Sequence, residues 1–302
     1  MESVKIAETK RGVMFHMHSQ LPSAKPVNEP LDRRLLLEKL QSLSVAMLRT
    51  ATAAMAVRNP EAEVAYDEVA GGFLAFSGSD VPLTRAIGVG TAGPINHGDI
   101  TSVETFFRSR NSPVSIVMSE RTDPSLQNLL ASRGYQASDH LQNWWLELDV
   151  APNKTIPSEI QVAPASTDES ELWVRTVAAG FLETQSPVED SELPSKMLDI
   201  FYCLGFANGA QPFLARWNGI VAGGGVLHIS DGTAQIRTAS CRFTHRRMGV
   251  QTAVLRARLD AALRAGCRLA FSSTDGDGPS ARNLARFGFK PLSVSFRMST
   301  SS

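Results

Sequence analysis

Cysteine is scarce in this chain, with three residues in 302. Cys203, Cys241 and Cys267 are far apart and form neither a CxxC pair nor a cluster with histidine, which argues against a disulfide framework and a zinc site. We predict that each packs as a small hydrophobic residue, with a catalytic thiol as the alternative. A reduced, cytoplasmic protein is the resulting expectation.

An excess of charge and a long apolar run are also lacking. The 30 basic and 30 acidic residues balance, whereas nucleic-acid-binding proteins usually carry a basic excess. No apolar run reaches the ~18 residues that span a bilayer. The longest candidate, residues 45–57, contains Arg49, and the N-terminus lacks the apolar segment of a signal peptide. We therefore expect no nucleic-acid partner and no membrane.

Length and composition allow two ordinary globular domains, since 43% of the residues are hydrophobic and 20% are charged. Residues 1–30 have no sustained periodicity and are predicted to be a flexible tail. His16 and His18 in this segment could be read as a metal pair, but nothing nearby completes a coordination shell. The composition of residues 151–157 is typical of a linker. We place a domain boundary near residue 153, with domains at residues 31–152 and 158–302.

Hydrophobic periodicity predicts helices and strands in both halves. In the first half the predicted helices are residues 32–59, 101–110 and 124–132, with short strands at 61–90, 114–118 and 135–148. In the second half the predicted helices are residues 167–182, 192–206, 249–265 and 279–286, with strands at 160–162, 212–217, 219–229, 233–242, 268–272 and 289–298. The pairs Asn218-Gly219 and Asp231-Gly232 predict tight hairpin turns.

Two segments about 154 residues apart resemble each other, namely residues 123–135 and 278–289. Each follows a short strand and leads into a closing strand. This internal similarity predicts two copies of one domain, although chance similarity between two short helices is the alternative.

The most informative stretch is residues 241–255, where a strand-like segment runs through a basic turn into a helix that starts at Gly249. The first N–H groups of a helix have no partner within the helix, and its dipole places partial positive charge there. A phosphate or pyrophosphate is therefore expected at this turn. The first half has no counterpart, because residues 91–99 contain two glycines and a proline instead of a helix start.

The second half resembles the GCN5-related N-acetyltransferase (GNAT) superfamily over residues 160–299. The resemblance rests on the turn Arg246-Arg-Met-Gly-Val-Gln251, on the strand end at Ala239-Ser240-Cys241, and on residues 277–289, which end in Gly288-Phe289. It implies an α/β (α+β) fold of two GNAT-like domains, each a mixed, mostly antiparallel sheet flanked by helices. The first domain would be a degenerate copy, as in tandem family members.

The resemblance also implies acetyl-CoA as the cosubstrate and no metal. The implied cofactor-binding residues are Ala239, Ser240, Cys241, Arg246, Arg247, Met248, Gly249, Val250, Gln251, Thr252 and Asp277. Arg242 and Arg282 are further candidates for contacts with the 3′-phosphate. The backbone of Cys241 would polarise the acyl carbonyl.

Three positions depart from the family pattern. Leu284 stands where many members have a tyrosine that protonates the leaving thiolate, and Gln235 stands where some have a glutamate base. Neither residue can transfer a proton in these roles. Asp277 replaces the usual asparagine. His228 is a weak candidate for the base, with an ordinary half-buried strand histidine as the alternative.

The acidic residues Glu183, Glu189 and Asp190 lie between two helices, where family members often build the acceptor site. If they line that site, they favour a cationic amine. A solvated acidic loop is the alternative.

The predicted function is transfer of an acetyl group from acetyl-CoA to a primary amine by direct transfer. The acceptor would be a small molecule, a peptide or a protein, and a homodimer is left open. The alternative is a catalytically weak or inactive acyl-CoA-binding regulatory protein. A nucleotide-binding protein is disfavoured, because the sequence contains neither GxxxxGK[ST] nor GxGxxG after a strand.

Overall fold

A computed structural model describes residues 32–79, 81–150, 154–183 and 185–300, and residues 32–302 are assigned to one compact unit. The predicted tail with His16 and His18 lies outside the described residues. Residues 151–153, where we place the domain boundary, also lie outside the described residues, and that boundary stays a prediction.

Helices and strands alternate along both halves of the described chain. The helices are α1 (Arg33–Arg58), α2 (His97–Arg108), α3 (Pro124–Ser132), α4 (Ser170–Leu182), α5 (Ser195–Phe206), α6 (Val250–Arg264) and α7 (Pro279–Arg286). The strands are β1 (Ala65–Val69), β2 (Gly72–Phe76), β3 (Arg85–Ile87), β4 (Ile116–Met118), β5 (Tyr135–Glu147), β6 (Ile160–Pro164), β7 (Ala210–Trp217), β8 (Ile220–Ser230), β9 (Thr233–Cys241), β10 (Leu269–Thr274) and β11 (Lys290–Thr300).

The ends of several elements follow from local hydrogen bonding. Asp32 caps α1 by accepting a hydrogen bond from the N–H of Arg34, as the sequence predicts. Both predicted hairpin turns are confirmed, because φ is positive at Asn218, Gly219, Asp231 and Gly232.

The predicted start of α2 is wrong by four residues. Asn96 and Asp99 form a reciprocal capping box, in which the Asn96 side chain accepts from the N–H of Asp99 and the Asp99 carboxylate accepts from the N–H of Asn96. The helix therefore begins at His97, within the glycine-containing segment that we expected to exclude a helix start.

All eleven described strands form one sheet, in the order β1-β2-β3-β4-β11-β5-β10-β9-β8-β7-β6. The last strand of each half is exchanged. β5 belongs to the first half by sequence but pairs with β10, and β11 belongs to the second half but pairs with β4. The two exchanged strands pair antiparallel with each other, from Lys290 opposite Trp145 to Thr300 opposite Tyr135. Each half thus completes the sheet of the other.

The exchange explains the internal similarity of the sequence. The two similar segments are α3 and α7, and each leads directly into one of the exchanged strands. Trp144 and Leu148, from the first half, are buried in a cluster with Phe213, Leu227 and Leu255 from the second half. The hydrophobic core of the second half therefore depends on the first.

The remaining core residues pack between the sheet and its helices. Cys203, Cys241 and Cys267 are free and buried, which confirms the predicted packing role. Helix α1 is long and apolar enough to cross a membrane by length and composition alone. Its residues Leu48 and Met55, however, are buried in a core cluster with Phe73 of β2. This packing is that of a core helix of a folded protein.

Asn143 of β5 ties the exchanged strands together. Its Nδ2 donates to the hydroxyls of Ser293 (3.2 Å) and Ser295 (2.8 Å) on β11, and its Oδ1 accepts from the hydroxyl of Ser273 (2.7 Å) on β10. The residue is 4% exposed.

We predict that Asn143→Ala lowers the free energy of unfolding by about 2–4 kcal/mol. Three hydrogen bonds at about 1 kcal/mol each are lost, and the buried hydroxyl of Ser293 loses the donor that Asn143 supplies. Urea denaturation measures the change. Gln136→Ala, at an exposed position of the same strand, is the control and should change the free energy by no more than about 0.5 kcal/mol. Equal effects of the two substitutions would show that this network does not hold the exchanged strands.

Candidate functional site

The site lies where two parallel strands of the sheet separate. The pairing between β9 and β10 runs only from Thr233–Leu269 to Gln235–Phe271. Beyond this point β9 continues to Cys241 and β10 to Thr274 without pairing to each other. At the start of this stretch the hydroxyl of Ser272 on β10 donates to the carbonyl of Ile236 on β9 (2.8 Å). We call the gap between the two strands the splay.

A bulge in β9 forms one wall of the splay. Val226 of β8 lies opposite Arg237 and Gly224 lies opposite Ser240, so Thr238 and Ala239 lie outside the regular ladder. Thr238 has φ of +50°, a left-handed conformation that is uncommon for a residue other than glycine. The N–H of Arg242 donates to the carbonyl of Ala222 on β8. Because successive N–H groups of an extended strand point to opposite edges, the N–H of Cys241 points away from β8, toward the splay.

Helix α6 begins beside the end of β9 with an open N-terminus. Gly249 is its N-cap residue, with φ of +90°, and no side chain among the described residues caps the helix. Arg247 also has a positive φ, of +64°. The first-turn N–H groups of Val250, Gln251 and Thr252 are thus available to an acceptor, and the helix dipole favours an anion there.

A cavity of about 920 Å³, the α6 cavity, lies against this helix end. Its walls are formed by the C-terminal end of α4, the end of β9, the turn before α6 and the start of α7. The structure brings most of the predicted cofactor-binding residues to it, namely Ala239, Ser240, Cys241, Arg246, Arg247, Gly249, Val250, Gln251 and Thr252.

Of the predicted cofactor-binding residues, Met248 and Asp277 do not line the α6 cavity. Met248 is 38% exposed, because the left-handed conformation of Arg247 turns the chain outward before the helix. The side chain of Asp277 is exposed, and its carbonyl accepts a hydrogen bond from Arg282 Nη1 (2.9 Å). Arg282 itself lines the cavity.

Two of the three acidic residues predicted near the acceptor site, Glu183 and Glu189, have described side chains. Glu183 is 1% exposed; its carboxylate accepts from Arg242 Nε (2.8 Å) and from the N–H of Phe243. Glu189 is exposed and lines none of the three cavities described in this section. The pairing with Glu183 also holds Arg242 away from the role of phosphate ligand.

The splay encloses a second cavity, of about 210 Å³, between β9, β10, α6 and α7. It shares Phe181, Ala239 and Gln251 with the α6 cavity, so the two adjoin. Leu284, at the position of the family's tyrosine, is buried in its wall.

A third cavity, of about 280 Å³, lies on the other side of the splay, and we call it the junction cavity. It shares Ile236, Arg237, Thr238 and Ser273 with the splay cavity. Residues of both halves line it: from the first half α1, β3, β4 and β5, and from the second half α5, β9, β10 and β11. The three cavities therefore adjoin in series, from the N-terminus of α6 to a chamber lined by both halves, and we call this series the path.

His228 is not brought to this path. It is 2% exposed in β8 and lines none of the three cavities. Burial, together with the positive charge of Arg237, lowers the pKa of His228 to about 4, although the nearby Asn208 backbone opposes the shift. A neutral imidazole with this pKa is a weak base, and it contacts no space that an acceptor could occupy.

Cys241 is placed as predicted, but its thiol is not activated. Burial raises the pKa of Cys241 to about 11, outweighing the opposing charge of Arg246. The thiol is protonated at neutral pH and is a poor nucleophile. The backbone of Cys241, and not its side chain, is the group presented to the splay.

Sequence reasoning missed the residues of the junction cavity, among them Arg85, Asp139, His140, Arg237 and Ser273. No local signal identifies them, because the sheet brings them together from four separate strands, β3, β5, β9 and β10. Among the described residues, no group of three or more histidine, cysteine, aspartate or glutamate side chains could hold a metal ion.

Comparison with known proteins agrees with this geometry. Residues 178–289 match the family model for the acetyltransferase (GNAT) family. No curated protein gives a significant match.

Solved structures share the fold over most of the chain. A GCN5-related N-acetyltransferase from Kribbella flavida superposes with a TM-score of 0.61 at 17% identity, covering 90% of this chain and 96% of that one. A tandem GNAT protein from the clavulanic acid biosynthesis pathway gives a TM-score of 0.58 at 16% identity, covering 87% and 95%. A conserved protein of unknown function from Staphylococcus epidermidis gives 0.57 at 12% identity, covering 80% and 96%. Residues 178–289 therefore match a domain of the acetyltransferase (GNAT) family, and the described chain has a mixed α/β fold like that of a tandem GNAT protein.

Proposed function

We propose that this protein transfers the acetyl group of acetyl-CoA directly to a primary amine. Family membership gives acyl transfer as the general class of chemistry. The observation that carries the finer proposal is the series of three adjoining cavities. The α6 cavity would hold the phosphates of the cofactor, the splay its acyl end and the junction cavity the amine.

The turn before α6 fits a pyrophosphate. It offers the uncapped N–H groups of the first helical turn, and Gly249 and Arg247 both have the positive φ that allows the chain to wrap around an anion. Arg246 and Arg247 line the same cavity and would add charge-assisted hydrogen bonds. Arg246 is held in place by its hydrogen bond to the carbonyl of Gly180 (3.2 Å).

The residues of the splay would orient and polarise the acyl group. The thioester supplies an acyl carbon that a neutral amine can attack, with the C–N bond forming as the C–S bond breaks and an amine proton balancing the thiolate. The N–H of Cys241 is directed toward the splay, where it would donate to the developing oxyanion. Such a donor acts through its fixed position, which the β8–β9 ladder supplies.

The amine proton needs an acceptor that the family positions do not supply here. Leu284 is apolar, and Gln235 has a carbonyl oxygen that is buried without a hydrogen-bond partner. That oxygen would orient an amine N–H without removing its proton. Among the described residues, the junction cavity is also lined by the Asp139 carboxylate and the His140 imidazole, both exposed, and we assign proton removal to this mouth, directly or through water.

The first half has a defined part in this proposal. It supplies β5, which completes the sheet next to β10, and it supplies one wall of the chamber in which the amine would lie. Its degenerate character is therefore compatible with an essential role. If the protein binds acetyl-CoA but transfers its acetyl group to no amine, so that no CoA is released, the regulatory alternative takes the place of this proposal.

We predict that Gly249→Val weakens acetyl-CoA binding about tenfold or more, measured by isothermal titration calorimetry. A Cβ at this position would make only ordinary contacts with Pro157 (3.5 Å) and Ile160 (3.6 Å). The effect arises instead from φ of +90°, which valine adopts at a cost of about 1–3 kcal/mol, so the turn would change shape.

Gly266→Val is the matched control. Gly266 follows the other end of α6, has φ of +80°, and a Cβ there would meet nothing within 4 Å. The control should lose comparable stability and keep the affinity of the native protein. Equal affinities of the two variants would remove the α6 turn as the binding site.

We predict that Cys241→Ala retains acetyl transfer within about threefold of the native rate, because the backbone N–H remains and no acyl-thiol is formed. The control is Cys267→Ala, which removes an equally buried thiol from the core beside α6 and matches the packing loss of about 1 kcal/mol. A loss on the order of 10³-fold for Cys241→Ala alone would contradict direct transfer and indicate a covalent intermediate on the thiol.

A further inference from the structure

Three arginines converge on the junction cavity from strands of both halves: Arg85 of β3, Arg237 of β9 and Arg297 of β11. Arg85 and Arg237 are half-buried, the Nε atom of each is fully buried, and both side chains line the cavity. The two side chains are also close enough for each charge to act on the pKa values of the group.

These arginines lack a carboxylate partner within the part of the chain that the structure describes. Among the described residues, no aspartate or glutamate oxygen lies within 4.0 Å of the guanidinium nitrogens of Arg85, Arg237 or Arg297. The Nε atoms of Arg85 and Arg237 are buried and make no hydrogen bond. Arg237 donates from Nη2 to the carbonyl of Leu204 (3.2 Å). The contrast is Arg242, which has the buried carboxylate of Glu183.

The charge of this cluster remains at neutral pH. Burial, followed by the charge of Arg297, lowers the pKa of Arg85 to about 10. Burial, followed by the charge of Arg85, lowers the pKa of Arg237 to about 9. Two like charges held together in the protein interior without a counter-ion destabilise the fold. An arrangement of this kind is expected where an anionic ligand supplies the missing charge.

The other described titratable groups at the cavity, Asp139 and His140, do not supply the missing negative charge. Asp139 lies across from Arg297 in the β5–β11 ladder, but its side chain is exposed and it forms no ion pair. His140 is also exposed, beside Phe296 at the mouth. These groups lie at the opening of the cavity, whereas the Nε atoms of Arg85 and Arg237 are fully buried.

We propose that the acceptor carries, besides its amine, an anionic group that Arg85 and Arg237 bind. Guanidinium groups pair with planar carboxylates and with phosphates through two parallel hydrogen bonds, so an amino acid or a phosphorylated amine has the required chemistry. The rest of the acceptor would lie against the apolar wall formed by Met47, Leu83, Ile200 and Leu204. This inference rests on the proposed acyl transfer, which places the amine at the splay beside Ser273 and Thr238, and it replaces the cationic acceptor that the acidic loop suggested.

The test compares matched ligands by calorimetry and thermal melting of the full chain. One arm sets amino acids against the amines that lack only the carboxylate, such as leucine and isoamylamine. The second arm sets phosphoethanolamine against ethanolamine. We expect at least one ligand that carries the carboxylate or phosphate to bind about tenfold or more tightly than its counterpart without that group, and the arm in which it does so identifies the group.

Arg85→Met and Arg237→Met should abolish that preference and, because each removes an uncompensated buried charge, should raise the melting temperature of the ligand-free protein. Arg264→Met, at an exposed position near the end of α6, is the control and should change neither quantity.

The proposal is overturned if no ligand with a carboxylate or phosphate binds more tightly than its counterpart without that group. It is also overturned if the preference for the carboxylate or phosphate survives in both arginine variants. It is also overturned if both variants melt below the native protein with the preference intact, since the arginines would then serve folding alone. Release of CoA from acetyl-CoA, followed in parallel, separates the two claims. An anion preference without CoA release would refute acyl transfer and leave the anion site. CoA release only with amines that lack a carboxylate or phosphate would support acyl transfer and refute the anion site.

Discussion

The pairing of β5 with β11 is the constraint on which the rest of this structure depends. Each half ends its sheet with the strand of the other half, and the two strands pair along their length. The core of the second half is closed by Trp144 and Leu148 of the first. Neither half has a complete sheet alone. The second half, which contains the turn before α6, therefore requires the first half, which has no such turn.

The same exchange places the site. The path that begins at the open end of α6 passes through the separation of β9 from β10 and ends in a chamber whose walls come from both halves. The charges are distributed along it: open helix amides and Arg246 at one end, Arg85 and Arg237 at the other. Between them the splay cavity is also lined by Arg258 and Asp275. Under the proposed function, the phosphorylated cofactor and the acceptor would bind at opposite ends of this series of cavities.

Local features were predictable from the sequence because they depend on neighbours in the chain. The cap at Asp32, the turn at Asp231-Gly232 and the open end of α6 at Gly249 all follow from short-range patterns. The start of α2 was missed because the Asn96 capping box outweighs the glycine that follows it.

Features set by strand exchange were not predictable. The similarity of α3 and α7 indicated two copies but not that the strands following them change places, since register between halves leaves no pattern in either segment. The arginines of the junction cavity are single residues in unremarkable strands, and only the fold gathers them. His228 was chosen for its titration near neutral pH, but burial removes that property and its position in β8 removes its access.

The most direct test of acyl transfer is the release of free CoA thiol when the purified chain is mixed with acetyl-CoA and a panel of primary amines that includes amino acids and phosphoethanolamine. The account predicts release that depends on both acetyl-CoA and an amine, with an acetylated product of matching mass. Binding of acetyl-CoA by calorimetry without amine-dependent release of thiol would contradict it and establish a protein that binds the cofactor without using it.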